Sequence, residues 1–165
     1  MRQYFVLIIF VSLFLFGCSG EHLPPNLPKL YSVTLTIVQD GKPFNGASVV
    51  IVNENYASSP WAAGGVTNEQ GQVKLRTEGK YSGAPAGKYK VTVTKVETPD
   101  IELTEDSSSP EYNKKVKEIQ DNTFYLVEDK FTKLDTTPLR IEITPSEKNF
   151  ELDVSPAVRK KYSGK

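Results

Sequence analysis

One histidine, one cysteine and a scatter of carboxylates are the side chains here whose types invite chemistry, and their spacing assembles none of the usual catalytic devices. His22 stands in a proline-rich stretch, Leu23-Pro24-Pro25-Asn26-Leu27-Pro28. No carboxylate of a folded layer is expected to orient its ring there, so a Ser/His/Asp or Cys/His arrangement has no base to build on. It reads as a solvated linker residue. A zinc site needs several Cys and His ligands, and this chain has one of each. Asp100, Glu102, Glu105 and Asp106 cluster in sequence, but no Asp-x-Asp-x-Asp-Gly loop wraps their oxygens around calcium. They read as a solvated acidic loop. Gly64-Gly65, Gly83 and Gly87 are not followed by a helix, so they suit turns and not a phosphate cradle. The expectation is a chain with no cofactor, no metal and no enzymatic activity.

Cys18 does invite a modification. The predominantly apolar run Tyr4–Gly17 ends directly before it and follows Arg2, the single charge of a short basic leader. That run is shorter than the about 20 residues needed to span a bilayer, and it ends on a small residue, the layout of a removed export signal. Leu15-Phe16-Gly17-Cys18 resembles the bacterial lipobox, in which cleavage falls before an acylated cysteine. Phe16 is bulkier than the pattern's usual residue. The resemblance implies a signal peptide over residues 1–17 and a lipid on Cys18. It also implies a lipid-anchored place in the bacterial cell envelope. Ser19 lacks the aspartate that retains some such proteins at the inner membrane, which points to the outer membrane. With Cys18 acylated, no thiol is left for a disulfide, and stability has to come from an apolar core.

Twenty basic and twenty acidic side chains leave the chain formally neutral, without the concentrated basic footprint that nucleic acid demands. Residues 18–31 carry three prolines and neither structural period, so they are expected to form an extended tether. From Ser32 the apolar period becomes two. Val33, Leu35 and Ile37 alternate with polar neighbours, and Asp40-Gly41 then marks a two-residue hairpin. Strands are further expected over Ala47–Val52, Val73–Leu75, Lys88–Val96, Leu139–Ile143 and Phe150–Val154. The last two are expected to pair as a hairpin. Between them Ser109-Pro110 suits an N-cap and first helical position. Tyr112, Val116 and Ile119 form a narrow stripe, so 98–122 is expected to be a short helix or a partly ordered insertion. Many short strands without strand–helix alternation predict an all-β, antiparallel sandwich over 32–154.

Three segments carry a family resemblance: Asp40-Gly41-Lys42-Pro43-Phe44-Asn45-Gly46-Ala47-Ser48-Val49, then Gly65-Val66-Thr67-Asn68-Glu69-Gln70-Gly71-Gln72-Val73, then Pro85-Ala86-Gly87-Lys88-Tyr89-Lys90-Val91. They resemble the carboxypeptidase regulatory-like domain, a sandwich similar to transthyretin. Phe44, Asn68 and Val73 depart mildly from its pattern. The resemblance implies a fold and mostly accessory roles, and fold alone supplies no function. A purine-pathway hydrolase shares that fold but depends on histidines this chain lacks, and Tyr162-Ser163-Gly164 only echoes its ending.

The expected role is therefore a non-catalytic binding or scaffold module for protein or glycan. The alternative is an accessory module of a separately encoded transporter or peptidase. The candidate contact residues are Tyr56 and Trp61, in the loop before Gly64-Gly65, because sandwich-end loops are natural binding surfaces. Trp61 either presents its ring there or folds back to close the core, as large aromatics usually do. The tail 155–165, with Arg159, Lys160, Lys161 and Lys165, is expected to be disordered and solvated.

Overall fold

The computed structural model describes residues 24–57 and 59–161. The apolar run, Cys18, His22 and residues 162–165 lie outside them. In chain order the elements are β1 (Leu30–Tyr31), β2 (Thr34–Gln39), β3 (Lys42–Pro43), β4 (Ser48–Asn53), β5 (Ala63–Val66), β6 (Gln72–Lys74), β7 (Arg76–Thr77), β8 (Tyr81–Ser82), β9 (Ala84–Pro85), β10 (Gly87–Thr94) and β11 (Val96–Glu97). There follow α1 (Pro110–Asp121), β12 (Phe124–Tyr125), α2 (Asp129–Thr132), β13 (Arg140–Ile143), β14 (Asn149–Asp153) and β15 (Lys160–Lys161).

Two layers follow from the period-two alternation. A six-stranded antiparallel sheet runs β13-β10-β4-β5-β7-β8, and a second sheet places β2 between β14 on one side and β3 and β6 on the other. Leu35 and Ile37 of β2, Val49 and Ile51 of β4, and Tyr89, Val91 and Val93 of β10 are buried in one cluster. Ile141 and Ile143 of β13 join them. Each fully buried aliphatic is worth about 1.5–3 kcal/mol. The all-β sandwich read from the sequence is the fold. At the β2–β3 turn both Asp40 (φ 51°) and Gly41 (φ 72°) are left-handed, the backbone that a two-residue hairpin needs.

Polar groups inside the layers are matched. The buried Thr67 hydroxyl accepts from the Ala47 N–H at 2.8 Å and donates to the Phe44 carbonyl at 2.6 Å. It thereby ties the β3–β4 crossing to the end of β5. The Tyr89 hydroxyl donates to the Pro85 carbonyl at 2.9 Å, and burial pushes this phenol's pKa up, with Asn53 partly opposing the shift.

The insertion resolves as a helix. Ser109 caps α1, accepting from the Tyr112 N–H at 3.0 Å, with Pro110 at the first turn. Tyr112, Val116 and Ile119 are half-buried.

Three expectations need correction. Leu139–Ile143 and Phe150–Val154 do not form a hairpin: β13 pairs antiparallel with β10, while β14 pairs parallel with β2 in the other sheet. The turn between them steps across the sandwich, with the Thr34 N–H bonded to the Lys148 carbonyl at 2.9 Å. Alternation reports which face a strand buries, and both strands bury one face, so it does not name the neighbour. The last residues assigned to the tether also belong to the domain, since β1 pairs with β9. Before them the Leu27 N–H bonds back to Pro24, a turn where an extended chain was expected.

The third correction concerns the tail. Over residues 155–161 it is ordered: β15 adds to β12 and β11, and the Ala157 N–H reaches Asp40 Oδ2 at 3.1 Å. The Arg159 guanidinium lies 3.4 Å from the centre of the Phe124 ring and bonds Glu97 through two nitrogens at 3.2 and 3.3 Å. Lys160 pairs with Asp129 at 3.7 Å and Lys161 with Asp121 at 3.2 Å. The side chains of Arg159, Lys160 and Lys161 nonetheless stay more than half exposed, so over these residues the tail is ordered and still solvated.

Candidate functional site

The outer face of the six-stranded sheet holds a concavity whose floor is glycine. Register puts Val50 of β4 opposite Gly64 of β5, and Gly64 opposite Arg76 of β7. A trough of about 370 Å³ runs over Gly64 between Val50 and Arg76, closed at one end by Glu78 and Gly79. Packing dictates the missing side chain: a Cβ on Gly64 would stand 2.5 Å from the Val49 carbonyl oxygen. On the inner face, a Cβ on Gly65 would stand 2.7 Å from Val73 Cγ2, so the pair also lets the two sheets approach.

The walls are fixed in place. Arg76 Nε donates to the Gly79 carbonyl at 3.1 Å and Nη2 to the Lys80 carbonyl at 2.5 Å, which pins its guanidinium over the β7–β8 turn. That turn has Glu78 (φ 52°) and Gly79 (φ 67°) both left-handed, closed by the Lys80 N–H on the Thr77 carbonyl. The other wall is aliphatic. Val50 is 39% exposed, and Val66, farther along the same face, 65%. Together they leave a short aliphatic strip of this face in water.

Of the residues singled out from the sequence, Tyr56 is exposed, and Trp61 is half-buried and outside the buried core cluster. Both occupy the β4–β5 loop that leads to the trough, and neither lines it. The lining residues Gly64, Arg76 and Val50 went unread as a site because their proximity is set by register between distant segments. The available signal was the Gly64-Gly65 pair, read as a turn, which lies inside a strand where glycine marks close backbone approach.

Two other concavities are lined by charged residues. One, of about 310 Å³, holds the Arg140–Glu54 ion pair at 2.8 Å beside Lys88 and Glu142. The other, of about 430 Å³, lies between β12, α2 and β15 and is lined by Tyr125, Asp129, Lys133, Lys160 and Lys161. Among the described residues, no three His, Cys, Asp or Glu side chains converge as metal ligands, and no helix is long and apolar enough to cross a membrane. Of the carboxyls held below their ordinary range, Glu97, Asp106 and Asp153 are exposed and Glu105 is half-buried. Glu97 is held down by its bond to Arg159, Glu105 by Lys115, Asp106 by Ser108 and Asp153 by Ser155.

No protein-family model matches this chain, and no curated protein matches it. Among solved structures, the crystal structure of the major pilin subunit of Bacillus cereus is similar over 81% of this chain, at 18% identity and a TM-score of 0.42. The match covers 31% of that subunit's length.

Proposed function

We propose that this protein is a lipid-anchored, non-catalytic module of the bacterial cell envelope that binds another protein along the glycine-floored trough. Export and acylation at Cys18 rest on the lipobox-like Leu15-Phe16-Gly17-Cys18, with the outer membrane as the site of anchoring. The three segments resembling a carboxypeptidase regulatory-like domain support an accessory role. The observation that carries the binding reading is the exposed pair Val50 and Val66 beside a side-chain-free strand segment and a pinned arginine. One aliphatic wall facing one fixed cation suits an extended protein segment. A glycan would be met by an aromatic face, and neither Tyr56 nor Trp61 lines this trough.

The test places a photo-crosslinking amino acid at Val50 in the full chain and, as control, at Lys117 on α1. Irradiation of native membranes should give a discrete adduct from Val50 only, and Val66→Asp should abolish it. Equal adducts from both positions, or an adduct that survives Val66→Asp, would remove the trough from consideration.

A further inference from the structure

We propose that the end of the sandwich from which the tether leaves is a second contact surface, one that lies against anionic lipid headgroups. This rests on the anchoring of Cys18 proposed above. The geometry begins at β1, where the chain joins the domain. Gly83 is packed so closely on Tyr31 that a Cβ there would stand 2.4 Å from the Tyr31 carbonyl oxygen. The Gly83 N–H bonds Leu75, and the Leu75 N–H bonds Val33. The turn before β14 reaches the same end through Lys148 and Thr34, and Gly87 at the start of β10 is opposite Ile143.

Register and backbone bonds bring to that end Lys29 beside β1, Lys74 opposite Thr34, Arg76 and Lys80 next to Gly83, Lys88 opposite Glu142 and Lys148 bonded to Thr34, against Glu54, Glu78, Glu142 and Glu147. Glu54 is already engaged by Arg140. Among the described residues, none of these five lysines is in an ion pair with a carboxylate. The ammoniums of Lys29 and Lys80 stand over the rings of Tyr31 and Tyr81 at 5.4 and 5.2 Å, which holds them at this end. The opposite end differs. β10 spans eight residues, roughly 25 Å at the rise of a strand. Beyond it Asp100, Glu102, Glu105, Asp106, Glu111 and Asp121 outweigh the lysines of α1. There too Arg159, Lys160 and Lys161 are each paired with a carboxylate. A neutral chain thus carries its positive end where the tether begins and its negative end away from it.

The tether makes a weak attraction count. Eleven residue steps from Cys18 to Lys29 cap the distance between anchor and domain at about 40 Å, so the basic end never leaves the neighbourhood of the surface. Contact is then intramolecular and needs little affinity of its own. Each cation near an anionic surface shifts the contact equilibrium about fivefold. The domain would sit with its basic end on the membrane and α1 facing outward.

Trp61, the only tryptophan in the chain, is in the loop at the same end, since the preceding Asn53 is opposite Tyr89 near the start of β10. The acylated full chain is reconstituted in phosphatidylcholine vesicles with and without phosphatidylglycerol, each doped with headgroup-spin-labelled lipid, and quenching of Trp61 is read. Quenching should rise with phosphatidylglycerol and collapse at molar salt. Each of Lys29→Gln, Lys80→Gln and Lys148→Gln should lower the contact equilibrium about fivefold, and Lys117→Gln should leave it unchanged. Equal quenching in both vesicles, or no response to the triple variant, would overturn the proposal. Vesicle flotation and palmitate labelling of the same sample separate the outcomes. A protein that floats and is labelled but shows no dependence on phosphatidylglycerol is anchored without this orientation. One that neither floats nor labels fails at Cys18.

Discussion

Thr67 offers a substitution in which the more apolar residue should be the more damaging. Its side chain is 3% exposed, and its hydroxyl serves two backbone groups at once, the Ala47 N–H and the Phe44 carbonyl. Thr67→Val keeps the shape and removes both bonds, stranding a donor and an acceptor in the core. A stranded buried group costs about 1–3 kcal/mol, and the added methyl recovers only part of that, so a net loss of about 2–4 kcal/mol is expected. Thr67→Ser keeps the hydroxyl and loses one methyl, about 1 kcal/mol. The order of stability should therefore be Thr, then Ser, then Val, against the order of hydrophobicity. Denaturant unfolding of the detergent-solubilised full chain, followed by Trp61 emission and far-UV circular dichroism, measures all three. A fall in melting temperature of roughly 10 °C should accompany Val. A valine variant as stable as the parent would refute the claim that this hydroxyl ties the β3–β4 crossing to β5.

Gly64→Ala should destabilise by about 1–3 kcal/mol, because its Cβ meets the Val49 carbonyl oxygen and β4 and β5 must part. Parent-like denaturant unfolding would show that the trough floor tolerates a side chain. Docking of the tail should be sensitive to acid and salt. The Glu97 carboxyl is held below its ordinary range by Arg159, so the stabilisation is present above the unfolded carboxylate pKa and lost as pH falls through the lowered folded value. The protection factors of the Lys160 and Lys161 amides, taken relative to the intrinsic exchange rate at each pH, should fall under those conditions, and Glu97→Gln should lower them at neutral pH; protection unchanged by either would leave the ion pair without a role. Cys18→Ser should abolish palmitate labelling while the sandwich still folds, and label retained on the variant would refute the lipobox reading.

Anchoring and binding make complementary demands on the two ends of this domain. A trough on the outer face of the large sheet is useful to a membrane-held module only if that face is turned toward its partner. The basic end at β1 would restrict the domain's rotation about its tether. The two proposals share Arg76 and Glu78, which lie where the trough meets the basic end, and the Arg76 guanidinium is committed to the β7–β8 turn.

What the sequence determined by itself is local. Val33, Leu35 and Ile37, or Tyr89, Val91 and Val93, bury one face of a strand whatever lies opposite, so period two was enough to place β2, β10, β13 and β14 within a few residues, and the β-branched run Ala47–Val52 placed β4. Asp40-Gly41 and Ser109-Pro110 act through their own backbone geometry and needed no tertiary partner. Tertiary structure decided whatever depends on who sits beside whom. β13 and β14 have interchangeable patterns, yet they joined different sheets, and β14 ran parallel to β2, because only the crossing turn sets the neighbour. Residues 160 and 161 are ordered because β15 pairs with β12, which also brings Arg159, Lys160 and Lys161 within reach of Glu97, Asp129 and Asp121 from three separate segments. The trough has the same origin. Valine, glycine and arginine carry no signal as a motif, and register alone set Val50, Gly64 and Arg76 side by side.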